Sequence, residues 1–217
     1  GMDLLLSKLA LGYFVGGFVS LATITNPASK IPMFLAAAAD LDFSTGQREA
    51  RRACLYAFLM LAGALFAGVA ILEIFGISNG ALRIAGGLTV AMLGYRMLFG
   101  SNDALQAQPR GEAGIAFFPL ALPGIAGPGA LATIIGVSTK IAELESGAER
   151  AVAYIATVAS IAATCLLVWG VFRSVRWVSR CLGSEGINAI TRLTGFLLIC
   201  IGVQFVGSGI RSFVAGA

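Results

Sequence analysis

Histidine is absent from all 217 residues, so the chain has no imidazole to serve as metal ligand, general base or pH switch. Charge is scarce as well, at 12% of residues, against roughly one quarter in a soluble globular domain. The four cysteines, Cys54, Cys165, Cys181 and Cys200, make no C-x-x-C pair and offer neither a zinc ribbon nor a redox couple. No G-x-x-x-x-G-K-[ST] loop follows a strand pattern, which removes nucleotide-driven motors. Nucleophile-elbow and H-E-x-x-H patterns are missing too, as is a pair of acids inside an apolar run. No enzyme chemistry, metal or cofactor is therefore expected.

What fills the chain is apolar. Hydrophobic residues make up 58% and mean hydropathy is +0.88. The apolar runs reach about 20 residues or more, the length of a spanning helix and not of the ~10-residue alternating strands of a membrane barrel. Six segments can be drawn: Leu9–Ala39, Ala53–Phe75, Ala81–Phe99, Ile115–Thr139, Ala151–Phe172 and Ile187–Phe213. Asp3, Lys8 and the lack of a small-residue cleavage pattern predict a first segment that is retained rather than removed. No polar stretch is long enough for an extramembrane domain, so one membrane domain with the lipid bilayer as its surroundings is expected.

The net charge of +4 does not point to nucleic acid, because the cations sit at segment edges. Arg48, Arg51, Arg52, Arg96, Arg110, Arg173, Arg176 and Arg180 fall on one side, and Lys8, Lys140, Arg150 and Arg211 on the other. The excess marks the first side as cytoplasmic and places both termini on the non-cytoplasmic side. Trp169, Trp177 and Tyr95 read as interface or packing aromatics, and Cys54, Cys165 and Cys200 as small apolar fillers.

The first segment contains an island of different chemistry, Ile24-Thr25-Asn26-Pro27-Ala28-Ser29-Lys30-Ile31-Pro32. Pro27 has no N–H to donate and its ring collides with the carbonyl one turn back, freeing backbone groups near Thr23 and pushing Asn26 out of the right-handed helical region. At membrane depth an unsatisfied peptide group costs several kcal/mol, so such a break persists only against protein or a wet cavity. The fourth segment has a counterpart in Gly127-Pro128-Gly129.

Other pairs repeat the correspondence. Arg51-Arg52 precede the second segment as Glu149-Arg150 precede the fifth, and Arg83-Ile84-Ala85-Gly86 in the third matches Arg192-Leu193-Thr194-Gly195 in the sixth. Two copies of a three-helix unit follow, repeat A over 8–100 and repeat B over 112–214. Because three is odd, the second copy enters from the opposite face. The predicted architecture is all-α: a polytopic membrane protein of six transmembrane helices in two inverted three-helix repeats, with helices 1 and 4 interrupted.

In such folds the interrupted helices meet near the midplane, where half-helix N-termini attract anions and half-helix C-termini attract cations. A zwitterionic amino acid needs both, and two crossed breaks supply them without charged side chains. The candidate substrate-binding residues are Thr23, Thr25, Asn26, Pro27 and Ser29 at the first break and Gly127, Pro128, Gly129 and Thr133 at the second. A packing kink is the bland account of any one of these prolines, and is retained for Pro32, Pro119 and Pro123.

Glu73, near the end of the second segment, has two readings: a coupling group for H+ or Na+, or an end residue that reaches the interface or pairs with Arg83. Arg83 and Arg192 read as gating or structural residues. Gly86, Gly87, Gly94, Gly195 and Gly202 read as close-packing positions.

Taken together, Asn26-Pro27-x4-Pro32-x-Phe34, Phe75-Gly76-Ile77-Ser78 with Arg83-Ile84-Ala85-Gly86-Gly87, and Pro119-Leu120-Ala121-Leu122-Pro123 through Gly127-Pro128-Gly129-Ala130 resemble the MarC family of membrane proteins over almost the whole chain. The resemblance implies a six-helix bacterial inner-membrane protein of two related halves, near the lysine-exporter-like superfamily. It also implies SnatA-type transport of small neutral amino acids such as glycine and alanine. Ala28 and Ser29 stand where the family often has a glycine after the Asn-Pro pair. The alternatives are an exporter of another small solute, a drug or a cation, and a membrane scaffold that transports nothing. Direction, coupling ion and oligomeric state stay open at this level.

Overall fold

The computed structural model describes residues 2–100 and 114–215, and the described chain is helical with no strand. In chain order the elements are α1 (Met2–Thr25), α2 (Pro27–Ala37), α3 (Phe43–Phe75), α4 (Asn79–Phe99), α5 (Ala116–Ile125), α6 (Pro128–Ala142) and α7 (Gly147–Val214). Four helical stretches are long and apolar enough to cross a bilayer, and α5 with α6, bent by 56° at their junction, makes a fifth. The surface between them is studded with Leu11, Phe66, Ile74, Ile155, Leu166 and Val203, all exposed. That is the outside a helix presents to hydrocarbon, where apolar side chains lose nothing by facing outward.

α3 begins ten residues before the apolar segment does, so much of the expected polar loop 40–52 is helix. Asp42 explains the start: its carboxylate accepts from the Thr45 N–H at 3.1 Å and from the Ser44 hydroxyl, capping the free donors of the first turn. These bonds hold the Asp42 carboxyl well below the usual carboxylate range, so the cap stays charged at neutral pH. The helical extension brings Glu49 inward. Its carboxylate accepts the Ala116 N–H at 3.2 Å and pairs with Arg52 at 3.3 Å, tying α3 to the start of α5.

α7, at 68 residues, is far longer than the ~20 residues of one crossing. Gly183 divides it, with φ 61° and ψ −176°, a conformation that an L side chain rarely adopts. The sequence reading expects a loop there between two segments; the backbone instead stays helical up to Gly183 and resumes after it. The stretch 147–182 runs antiparallel to α3, with Gln47 Nε2 donating to the Phe172 carbonyl at 3.0 Å and Phe66 stacked on Tyr154 at 5.2 Å. Fully buried Phe172 also stacks on Phe34 of α2 at 4.9 Å.

The stretch 184–214 runs antiparallel to α4 along a line of glycines. Gly80 meets Gly209, Gly87 meets Gly202 and Gly94 meets Gly195; a Cβ on any of the six would come within 2.5–2.9 Å of the partner helix's backbone. Spacing of seven keeps each set on one face through successive pairs of turns. The close-packing role read from the sequence for Gly87, Gly94, Gly195 and Gly202 is what these contacts display. Gly86 packs instead against Ala132 of α6.

Candidate functional site

The break after α1 is a single residue. Asn26 adopts φ 45° and ψ 84°, a left-handed conformation that asparagine tolerates better than most side chains. Its N–H still reaches the Ala22 carbonyl at 2.9 Å, while its own carbonyl accepts from the Ser29 N–H at 3.0 Å and the Ser29 hydroxyl at 2.7 Å. Pro27 opens α2 and has no N–H for the Thr23 carbonyl, which is thereby released.

The second break has a different shape. Pro119 and Pro123 lie within α5, whose turns are widened so that the Leu120 N–H reaches Ile115 and the Ala126 N–H reaches Ala121, five residues back. Ala126 and Gly127 then leave the helix, and Pro128 starts α6. Gly127 has no side chain with which to cap that N-terminus.

The two breaks meet. A cavity of about 160 Å3 is lined from the first by Ile24, Thr25 and Lys30, and from the second by Pro123 through Ala130 without Ala126. Thr89, Val90 and Arg96 of α4 supply a third wall. At its rim the elements touch: a Cβ on Gly129 would lie 2.4 Å from Val90 Cγ2 and 3.1 Å from Ile24 Cγ2. The volume suits a small solute, being below the ~300–1,000 Å3 of drug-sized sites.

Of the residues singled out from sequence, Thr25, Gly127, Pro128 and Gly129 line this cavity. Asn26, Pro27 and Ser29 shape the break without lining it, and Ser29 is spent on the Asn26 carbonyl. Thr23 is exposed and donates to the Val19 carbonyl. Thr133 donates to Gly129 and faces a second cavity of about 220 Å3, with Ser20, Arg83, Lys140 and Ser208. Glu73 and Arg192 are exposed and line neither space, whereas Arg83 borders the second. Arg48, Arg51 and Arg173, assigned to one membrane side, lie together around a third cavity with Trp169; Arg110 lies outside the described residues.

Sequence reasoning missed the two cations of the main cavity. Lys30 is 3% exposed, and among the described residues no carboxylate stands within ion-pair distance of it. Arg96 reads from sequence as a loop marker, yet it sits in the last turn of α4 and faces the cavity. Beside them the Thr25 hydroxyl is buried without a hydrogen-bond partner.

Comparison with known proteins bears on this geometry. A family model described as MarC family integral membrane protein matches residues 11–214. The inner membrane protein MarC of Escherichia coli strain K12 is 37% identical over 208 residues, covering 91% of this chain and 94% of the relative. Proteins of the same name from Shigella flexneri and Shigella dysenteriae give the same figures. No solved structure matches.

Proposed function

We propose, on the premise that the chain belongs to the MarC family of integral membrane proteins, that it is a secondary transporter of small neutral amino acids of glycine or alanine size. It works in the bacterial inner membrane, the location named for its relatives, by alternating access. The substrate binds between the breaks of the first and fourth spans. With α1–α2 and α5–α6 each taken as one span and α7 as two, the chain makes six crossings in two inverted units, 8–100 and 112–214. Both termini lie on the non-cytoplasmic side.

The observation that carries this reading is the cavity shared by both breaks. Irregular backbone at membrane depth is tolerated where it lines such a space, and a pocket at a repeat interface is the common plan of secondary transporters. The second cavity extends the argument. Both spaces lie along α4 and α6, with Arg96 bordering the first and Arg83 the second, roughly 20 Å apart along α4. α1, α4 and α6 come close where Gly129 faces Val90 and Ile24, and we infer that this contact is the barrier between the two spaces. Parting that contact on one side and forming its like on the other is the exchange that alternating access requires.

A cation exporter fits less well, because the described cavity walls carry Lys30 and Arg96 and, among the described residues, no acid. A scaffold needs no cavity shared between its breaks. Proteoliposomes containing the full chain are expected to take up labelled glycine or alanine above empty vesicles. Asn26→Leu, which forces a side chain unsuited to φ 45° into the break, is expected to lose most of that uptake, while Asn26→Gly keeps it. No uptake by the folded wild type, or full uptake by Asn26→Leu, contradicts the reading.

A further inference from the structure

Lys30 is the buried one of two cations in the cavity that a zwitterion-binding pair of breaks does not call for. Its side chain is 3% exposed in a stretch otherwise apolar enough to span the membrane, and it lines the cavity without an acidic partner among the described residues. A buried ammonium is costly unless paired and hydrogen-bonded. The polar groups that share the cavity are all of one kind. Arg96 lines the same cavity from α4, the Thr25 hydroxyl is buried and unpartnered, and the first turn of α6 borders the space at Gly129 and Ala130 with no side-chain cap. Two cations, an unused hydroxyl and a helix N-terminus make an anion site, and among the described residues no carboxylate lines it to receive an ammonium.

We propose that Lys30 is the specificity-determining anchor of this cavity, holding the carboxylate of the solute, so that the protein selects small carboxylates by their acid group rather than by their amine. The inference rests on the transporter reading for the substrate's size and for its position between the breaks. A bound carboxylate supplies the partner that the ammonium lacks, in a charge-assisted bond of the strong class. Thr25 and the N–H groups of Gly129 and Ala130 serve its second oxygen. The amino group meets no acid among the described lining residues and contributes correspondingly less.

Calorimetric titration of the purified full chain tests this with four probes: alanine, propionate (the acid without the amine), ethylamine (the amine without the acid) and inorganic phosphate. Alanine and propionate are expected to bind within about tenfold of one another, and ethylamine not at all. Lys30→Met is expected to weaken both about 100-fold, as loss of one partner of a buried charged pair does, and Lys30→Arg to recover part of the affinity. A ligand-free thermal midpoint in Lys30→Met at or above the wild type shows that the loss is not unfolding, because the substitution removes an unpaired buried charge.

If propionate binds through Lys30 but alanine does not, the anchor stands and the amino-acid reading falls. If alanine binds equally well to Lys30→Met, or ethylamine binds in place of propionate, the anchor is overturned and the amino-acid reading stands. Binding of phosphate alone, or of no probe, also overturns it.

Discussion

Gly87→Val is expected to cost the protein its fold. A Cβ at residue 87 would stand 2.6 Å from the Gly202 carbonyl oxygen, 2.8 Å from Phe205 Cβ and 2.9 Å from the Val206 nitrogen. Two of these three are backbone atoms, which no change of rotamer moves aside. The clash is one rung of three, since Gly80·Gly209 and Gly94·Gly195 hold the same helices at the same separation. Parting the middle rung therefore parts the ladder. In hydrocarbon no water is released to draw helices together, so close packing carries the association. Extra methyls in a tight core cost typically about 1–3 kcal/mol. Here the loss should exceed about 3 kcal/mol, because the backbone itself must shift. Thermal unfolding in detergent and size-exclusion profiles measure it. Gly63→Ala, at a position with nothing within 4 Å of the new methyl, is the control and should be neutral or slightly stabilising. A wild-type midpoint for Gly87→Val contradicts the ladder.

The second large effect is expected at Gly129, where α1, α4 and α6 converge. Its Cβ would meet Val90 Cγ2 at 2.4 Å and Ile24 Cγ2 at 3.1 Å. Both neighbours are side-chain ends, so the obstruction can be relieved from the other side. Gly129→Ala should lower uptake about tenfold or more and destabilise by about 1–3 kcal/mol. Val90→Ala in the same chain should return most of both, with a coupling of about 0.5–3 kcal/mol in a double-mutant cycle. Gly136→Ala, two turns further along α6 with nothing within 4 Å, should leave stability unchanged. Additive losses in the double variant mean that the two residues do not share this contact.

These positions differ in how visible they are before the chain folds. The breaks at Asn26 and Gly127 are legible because the cause is local: a proline denies its N–H to a carbonyl four residues back whatever surrounds it. The glycines of α4 and α7 are legible as small residues, but their register is set between helices and appears only in three dimensions. Hydropathy places the start of the second span at Ala53, whereas the cap at Asp42 and the inward carboxylate of Glu49 carry the helix ten residues further out. At Gly183 no proline interrupts the pattern, so a single left-handed glycine is the whole break and a loop was the wrong expectation.

Lys30 is the instructive omission. It is the one charged residue between Lys8 and Asp40, and a charge inside an apolar run is by itself a functional signal. The Asn-Pro pair three residues earlier drew the site toward hydroxyls and backbone. Arg96 escaped for another reason: an arginine near a span end has a sufficient account in snorkelling, and only the fold of α5 and the start of α6 makes it a wall. Glu73, the acid that invited a coupling role, is exposed and lines neither cavity.

The central claim is that two helix breaks, distant in sequence, line one solute site. Single cysteines at Thr25 and Ala130, in a chain whose own four cysteines are replaced, test it most directly through labelling by a small water-soluble thiol reagent in membrane vesicles. The account predicts that both positions react and that alanine slows the reaction at both with the same concentration dependence. Failure of both to react, or protection of one and not the other, would contradict it.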